Sequence, residues 1–136
     1  MKFAYVDACI WITLIEGLTA YRPLIREVLH ALTQDHWTLC TSDAVRLEVM
    51  ISPIRKKDER LVAIYRALLE TNRALKTPPS VFLDALSIAG SEGLKSMDAV
   101  HIAIATHHRC ERFVTTDPHF KSLSLLAPVW VDLETA

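Results

Sequence analysis

The 136-residue chain is 51% apolar by residue count and carries 15 basic against 16 acidic side chains, for a formal net charge of −1. A chain of this length buries roughly two thirds of its unfolded surface and needs no disulfide or metal staple, and its composition excludes a disordered protein. No apolar run reaches the roughly 18 residues of a membrane span, and the near-neutral charge counts against a strongly basic nucleic-acid binder.

Phe3 to Val6 reads as a first, buried strand, and a helix follows from about Cys9 to Glu16, ended near Gly17. Asp7 lies between these two apolar stretches, where an unpaired charge is costly and takes up a partner or a proton. It also interrupts what would otherwise resemble a secretory leader, and no small-x-small cleavage site follows, so the start is expected to be mature protein. Pro23 suits the first turn of a helix carrying Leu24, Val28, Leu29 and Leu32. Trp37 to Cys40 is a second strand. Ser42 and Asp43 are N-cap candidates for a helix with Val45, Leu47, Val49 and Met50, which Pro53 is expected to stop. The charged stretch Arg55 to Arg60 enters a helix with Leu61, Ile64, Leu68 and Leu69 on one side, and a short strand is expected near Leu75.

Pro78, Pro79 and Ser80 start a further helix through Leu86 and Ile88, which Gly90 and Gly93 are expected to break. Ser96 is the expected cap of MDAVHIAIATHH, a helix apolar nearly all round and hence buried. Phe113 to Thr115 is a strand, Pro118 to Ser122 a helical turn and Val129 to Val131 a last strand. Short apolar strands separated by helices predict an α/β fold: a parallel sheet of four to five strands with helices on both faces. No repeat, low-complexity segment or linker divides the chain, so residues 1–136 are expected to form one domain. Cys9, Cys40 and Cys110 are odd in number and widely spaced, which fits reduced thiols and a cytoplasmic location.

In parallel α/β sheets, sites form beyond the carboxyl ends of the strands. Asp7 follows the first strand directly, and Asp117 follows FVTT in the same way. Asp98 sits in the first turn of the buried helix, and Glu48 lies one and a half turns into the helix after strand two. Neighbouring strands would bring Asp7 and Asp117 to one sheet edge. Two carboxylates about 4 Å apart repel by roughly 4 kcal/mol at an effective dielectric near 20, so protons or a cation must relieve the crowding. An all-oxygen set favours Mg2+ or Mn2+ over zinc, and such an ion suits metal-assisted cleavage of a phosphodiester.

YVDACIWI, TSDAVRLEVM, LKSMDAVHIAIA and FVTTDPHF together resemble the four motif blocks of PIN-domain ribonucleases, most closely the VapC-like toxin branch of toxin–antitoxin pairs. The resemblance spans nearly the whole chain in order. It implies a sandwich of helices around a short parallel sheet. It also implies a Mg2+- or Mn2+-dependent endoribonuclease whose metal-activated water is held by Asp7, Glu48, Asp98 and Asp117. Thr115 would match the family hydroxyl two residues before the last acid, orienting that acid or a water. Its implied partners are an RNA substrate, a cognate antitoxin and a second copy of the chain in a homodimer. The helices carrying Trp11 and Leu61 to Leu69 are candidates for the antitoxin groove. One position departs from the pattern: Cys9 stands where the family has Asn or Ser, and a thiol is a weak substitute for an amide that orients a carboxylate.

Each acid also has a structural alternative. Asp117 before Pro118 is a good N-cap, Asp98 suits a helix dipole, and Glu48 could lie on a solvated face. Asp7, with apolar neighbours on both sides, is the hardest of the four to explain as structure. His101 shares a helix face with Asp98, as a buried hydrogen-bonded histidine, a partner of the acids or a metal ligand. His107, His108 and Cys110 lack a second ligand pair for zinc, and Trp11, Trp37 and Trp130 read as core or interface. Arg55, Lys56, Lys57 and Arg60 form the one basic cluster, a solvated helix start or a grip on phosphates. Without the four acids the formal charge moves from −1 to +3. Two further functions stay open: a PIN-fold interaction module without activity, which Cys9 keeps in play, and a phospho-accepting receiver, which lacks the required Lys after its last strand.

Overall fold

The computed structural model describes all 136 residues. Five strands, β1 (Lys2–Val6), β2 (Trp37–Ser42), β3 (Arg73–Leu75), β4 (Arg112–Thr115) and β5 (Ala127–Trp130), form one parallel sheet in the order β3-β2-β1-β4-β5. Six helices connect them: α1 (Ala8–Glu16), α2 (Arg22–Gln34), α3 (Asp43–Arg55), α4 (Glu59–Glu70), α5 (Val81–Glu92) and α6 (Ser96–His107). Successive strand residues point to opposite faces, yet Ala4, Tyr5 and Val6 are all fully buried. The sheet is therefore covered on both sides, which is why its strands read as continuous apolar runs.

The chain winds outward from β1 through β2 to β3, then returns by α5 and α6 to lay β4 on the other side of β1. The winding direction reverses between β1 and β4, and a crevice opens beyond the strand ends at such a switch point. The β1–β4 register, Tyr5 with Phe113 and Val6 with Val114, ends both strands at that crevice.

Several boundaries shift by one or two residues from the sequence reading, as in β2, which runs on to Ser42, and β5, which starts at Ala127 and ends at Trp130, and three differ for a local reason. Pro53 lies inside α3, which runs on to Arg55; the Lys56 N–H donates to the Ser52 carbonyl at 3.0 Å and the Asp58 N–H to the Pro53 carbonyl at 2.9 Å. A proline within the last turn removes one donor without stopping the chain. Gly90 lies inside α5, and Gly93 alone ends it, at a φ of 68° that glycine adopts without a Cβ clash. Lys95, not Ser96, is the N-cap of α6, with no side-chain cap. Asp7 likewise occupies the N-cap position of α1 without a side-chain cap: the Ile10 N–H goes to the Asp7 carbonyl, and the carboxylate takes no part in the cap.

The core runs through the sheet as a ladder of aromatic rings. Phe113 stacks on Tyr5 with centroids 5.6 Å apart and meets Phe120 at 4.6 Å. Helix α6 buries Ala99, His101, Ile102, Ala103, Ile104 and Ala105, as its all-round apolar sequence demands. Trp11 and Trp37 are buried, whereas Trp130 is half-buried and donates its indole N–H to the Thr116 carbonyl at 3.1 Å. No helix is long and apolar enough to cross a membrane.

Candidate metal centre

Asp7, Glu48, Asp98 and Asp117 all line one open cavity of about 340 Å³, together with Cys9, Ile12 and Ile51. Each acid arrives from a different element. Asp7 extends β1, Glu48 projects from the second turn of α3, Asp98 stands in the first turn of α6, and Asp117 follows β4. The tightest group is Asp7, Glu48 and the buried His101 behind them, whose ligand-capable atoms lie within 4.8 Å of one another. Asp98 and Asp117 face the same cavity outside that group.

Asp7 is buried and held on one side. Thr115 Oγ1 donates to its Oδ2 at 2.9 Å, and the Cys9 thiol donates to the same oxygen at 3.2 Å. Thr115 Oγ1 in turn accepts the Asp117 N–H at 3.0 Å. Thr115 therefore fixes both the Asp7 carboxylate and the backbone of Asp117. Cys9 Sγ also accepts the Thr116 N–H at 3.3 Å. Burial, reinforced by the charge of Asp7, pushes the Cys9 thiol up to about 12, so it stays protonated and remains a donor. The thiol thus fills the place of the missing amide, with one weak hydrogen bond. The other Asp7 oxygen, Oδ1, lies 4.0 Å from His101 Nε2.

Asp117 serves in two ways. Its Oδ1 accepts from the His119 N–H at 2.9 Å, capping the 3-10 turn Pro118–Phe120, while the residue also lines the cavity. His101 is 1% exposed and sits among the acids, its Nε2 bonded to Glu48 Oε1. His108 bonds the Lys76 carbonyl at 2.7 Å, and the group His107, His108 and Cys110 forms no metal cluster. Tyr5 and Ser42 bond each other and reach His101; Tyr5 was not singled out from sequence, and Ser42 only as a helix cap. The available signal was Tyr5, a hydroxyl two residues before Asp7 and thus on the same strand face, in an otherwise apolar strand.

The electrostatics carry the mark of crowding. Burial raises the Asp7 pKa, and the charge of His101 and the hydrogen bonds from Thr115 and Cys9 offset this only in part. Burial raises that of Asp98 too, with the charges of Asp7 and Asp117 adding to it. For His101, burial acts downward, but the Glu48 hydrogen bond and the charges of Asp7, Glu48 and Asp98 outweigh it and the net shift is upward. One buried and three half-buried carboxylates around one cavity form a donor set suited to a divalent cation, which would relieve the repulsion.

A raised carboxyl pKa binds its proton more tightly in the folded chain than in the unfolded one. Its contribution to stability is complete below the ordinary value of 3.8 and is lost as pH rises through the raised value. Asp98→Asn removes that loss. In chelator, its melting temperature should match the wild type at a pH below 3.8 and exceed it by a few degrees near neutrality. Calorimetric scans across that pH range check this, and a gap that is constant or of opposite sign would contradict the crowding.

A parallel sheet with an acid-lined crevice at its switch point defines a class of α/β protein built to bring acids together from distant stretches of chain. The match to the PIN domain model spans residues 4–125, and the chain belongs to the PIN domain family. No curated protein sequence matches closely enough to count as a relative. Among solved structures, the fold resembles VapBC2 from Rickettsia felis bound to a DNA fragment from its promoter, with a TM-score of 0.78, 16% identity, and 96% of this chain and 100% of that chain covered. It also resembles a toxin–antitoxin complex from Klebsiella pneumoniae, with a TM-score of 0.72, 23% identity and coverages of 91% and 95%. A third similar structure is the Mycobacterium tuberculosis VapC20 toxin, which cleaves the sarcin-ricin loop; the TM-score is 0.65, the identity 15% and the coverages 81% and 86%.

Proposed function

We propose that this chain is a Mg2+- or Mn2+-dependent endoribonuclease and the toxin of a toxin–antitoxin pair, acting in the cytoplasm. One observation carries the reading: acids from four separate elements line one cavity at the switch point of a PIN fold. In this reading Asp7, Glu48, Asp98 and Asp117 hold the ion, and Thr115 and Cys9 hold Asp7. When bound, the ion supplies positive charge to phosphate oxygens and acidifies water. The exposed cluster Arg55, Lys56, Lys57 and Arg60, at the turn between α3 and α4, grips backbone phosphates. RNA as substrate is supported by the activity of the Mycobacterium tuberculosis neighbour, and reduced thiols at all three cysteines support the location.

An antitoxin partner is supported by the Rickettsia and Klebsiella complexes. Its seat is the groove of about 490 Å³ between α3 and α4, where Leu47 and Ile54 are more than half exposed beside Arg46, Arg55 and Arg66. Ile51 lines both this groove and the acid cavity, so a segment lying in the groove reaches the site. An apolar helix with acidic flanks matches that lining. Leu61 to Leu69 thus stay near the groove through Val62 and Arg66, while buried Trp11 is not available to it. Homodimerisation is assigned to the α5 face, where Phe82, Leu83 and Leu86 are each more than 70% exposed. The test of the function is RNA cleavage by purified protein with Mg2+, with Mn2+ and with chelator. Cleavage with either ion and none in chelator is expected; cleavage that persists in chelator would overturn it.

A further inference from the structure

Behind the acids lies a buried chain of polar groups. Ser42 Oγ accepts the Val45 N–H at 3.4 Å, at the N-cap of α3. Ser42 Oγ and Tyr5 Oη are 2.6 Å apart, Tyr5 Oη and His101 Nδ1 are 2.7 Å apart, and His101 Nε2 bonds Glu48 Oε1. Tyr5 and His101 have 0% and 1% of their surface exposed, so no water substitutes for these partners.

The protons in this chain are constrained. An ionised Glu48 carboxylate only accepts, so His101 Nε2 must carry a hydrogen. With the ring neutral, Nδ1 is then an acceptor: Tyr5 donates to it, and Ser42 donates to Tyr5. With the ring charged, Nδ1 donates to Tyr5, which turns its own proton to Ser42. The phenol hydroxyl serves either arrangement, and in both the Nε2 proton points at Glu48. Phenylalanine at position 5 would keep the ring packing but remove this control.

We infer that Tyr5 and His101 are positioning residues that act through Glu48, holding its carboxylate beside Asp7 as a ready ligand for the cation. Glu48 needs such a hold. Its side chain has three rotatable bonds and is 37% exposed, whereas Asp7 is short, buried and fixed by two donors. The anchor is rigid: Tyr5 stacks on Phe113 and meets the His101 ring edge-on with centroids 5.6 Å apart. Hydrogen-bond partners of metal ligands commonly change metal affinity by about 10–100-fold. The inference rests on the metal reading of the site.

The experiment combines ring 15N NMR of His101 with Mn2+ titration of the full chain by calorimetry, on the wild type, Tyr5→Phe, His101→Gln, His101→Leu, Glu48→Ala and His101→Leu/Glu48→Ala. At a pH where the ring is neutral, the wild-type signals should report hydrogen on Nε2 and a bare Nδ1. His101→Leu should weaken Mn2+ binding about 10–100-fold and Tyr5→Phe about 10-fold, while His101→Gln, which keeps a donor, should recover part of the loss. The double variant should bind no more weakly than Glu48→Ala alone, because His101 then has nothing to hold. Hydrogen on Nδ1, full additivity in the double variant, or unchanged Mn2+ affinity in His101→Leu would each overturn the positioning role. Absence of saturable Mn2+ binding by the wild type would instead sink the metal reading, and this role with it.

Discussion

Asp7→Asn is expected to fold like the wild type and to cleave RNA about 10²–10³-fold more slowly in saturating Mg2+ or Mn2+, the scale of losing one electrostatic group at a preorganised site. The fold should survive because the amide keeps the shape of the carboxylate and an oxygen for Thr115 and Cys9 to donate to. It also sheds a buried charge whose pKa the fold raises. What the amide lacks is the negative charge at the centre of the cavity, next to Glu48 and His101. Gel-resolved cleavage of a structured RNA, with circular dichroism as the folding control, reads both parts of the expectation. Equal cleavage by variant and wild type would remove Asp7 from the chemistry; no cleavage by either would favour a PIN-fold interaction module.

The second large effect is on stability. Phe113→Ala is expected to cost about 3–5 kcal/mol, because it empties a fully buried site between Tyr5 and Phe120 that small side chains cannot refill. Typical domains are stable by only about 5–15 kcal/mol, so this is a large share, equivalent to a fall in Tm of roughly 10–20 °C. The same ring is the floor under Tyr5, so the loss should also loosen the polar chain behind Glu48. Urea unfolding monitored by fluorescence measures it. A cost below about 1 kcal/mol would contradict the description of this part of the core.

The sheet and its buried strands were legible because periodicity and burial go together: where both faces are covered, strands lose their alternation and read as apolar runs. The four acids were legible as a set because Asp7 was the hardest to explain as structure, Asp117 followed a strand, Asp98 sat in a first turn and Glu48 lay early in the helix after strand two. Strand order, which a sequence does not state, decided whether they met. The boundaries at Pro53, Gly90 and Ser96 were misread for local reasons: a breaker near the end of a packed helix is tolerated, and a serine caps only if its backbone turns there. His101 was legible as a neighbour of Asp98, one turn along its helix. Its link to Glu48 and Tyr5 was not, since it joins residues 53 and 96 positions away. The role of Cys9 as a donor to Asp7 likewise depends on a thiol geometry that only packing reveals.

Central to the account is a single divalent ion held by Asp7 and the acids around it. Crystals grown with Mn2+ and measured for its anomalous scattering address this most directly. The expected result is one strong peak in the cavity, touching Asp7 and at least one of Glu48, Asp98 and Asp117, and absent from Asp7→Asn crystals. A cavity without a peak in the wild type, or a peak undisturbed by the substitution, would contradict it.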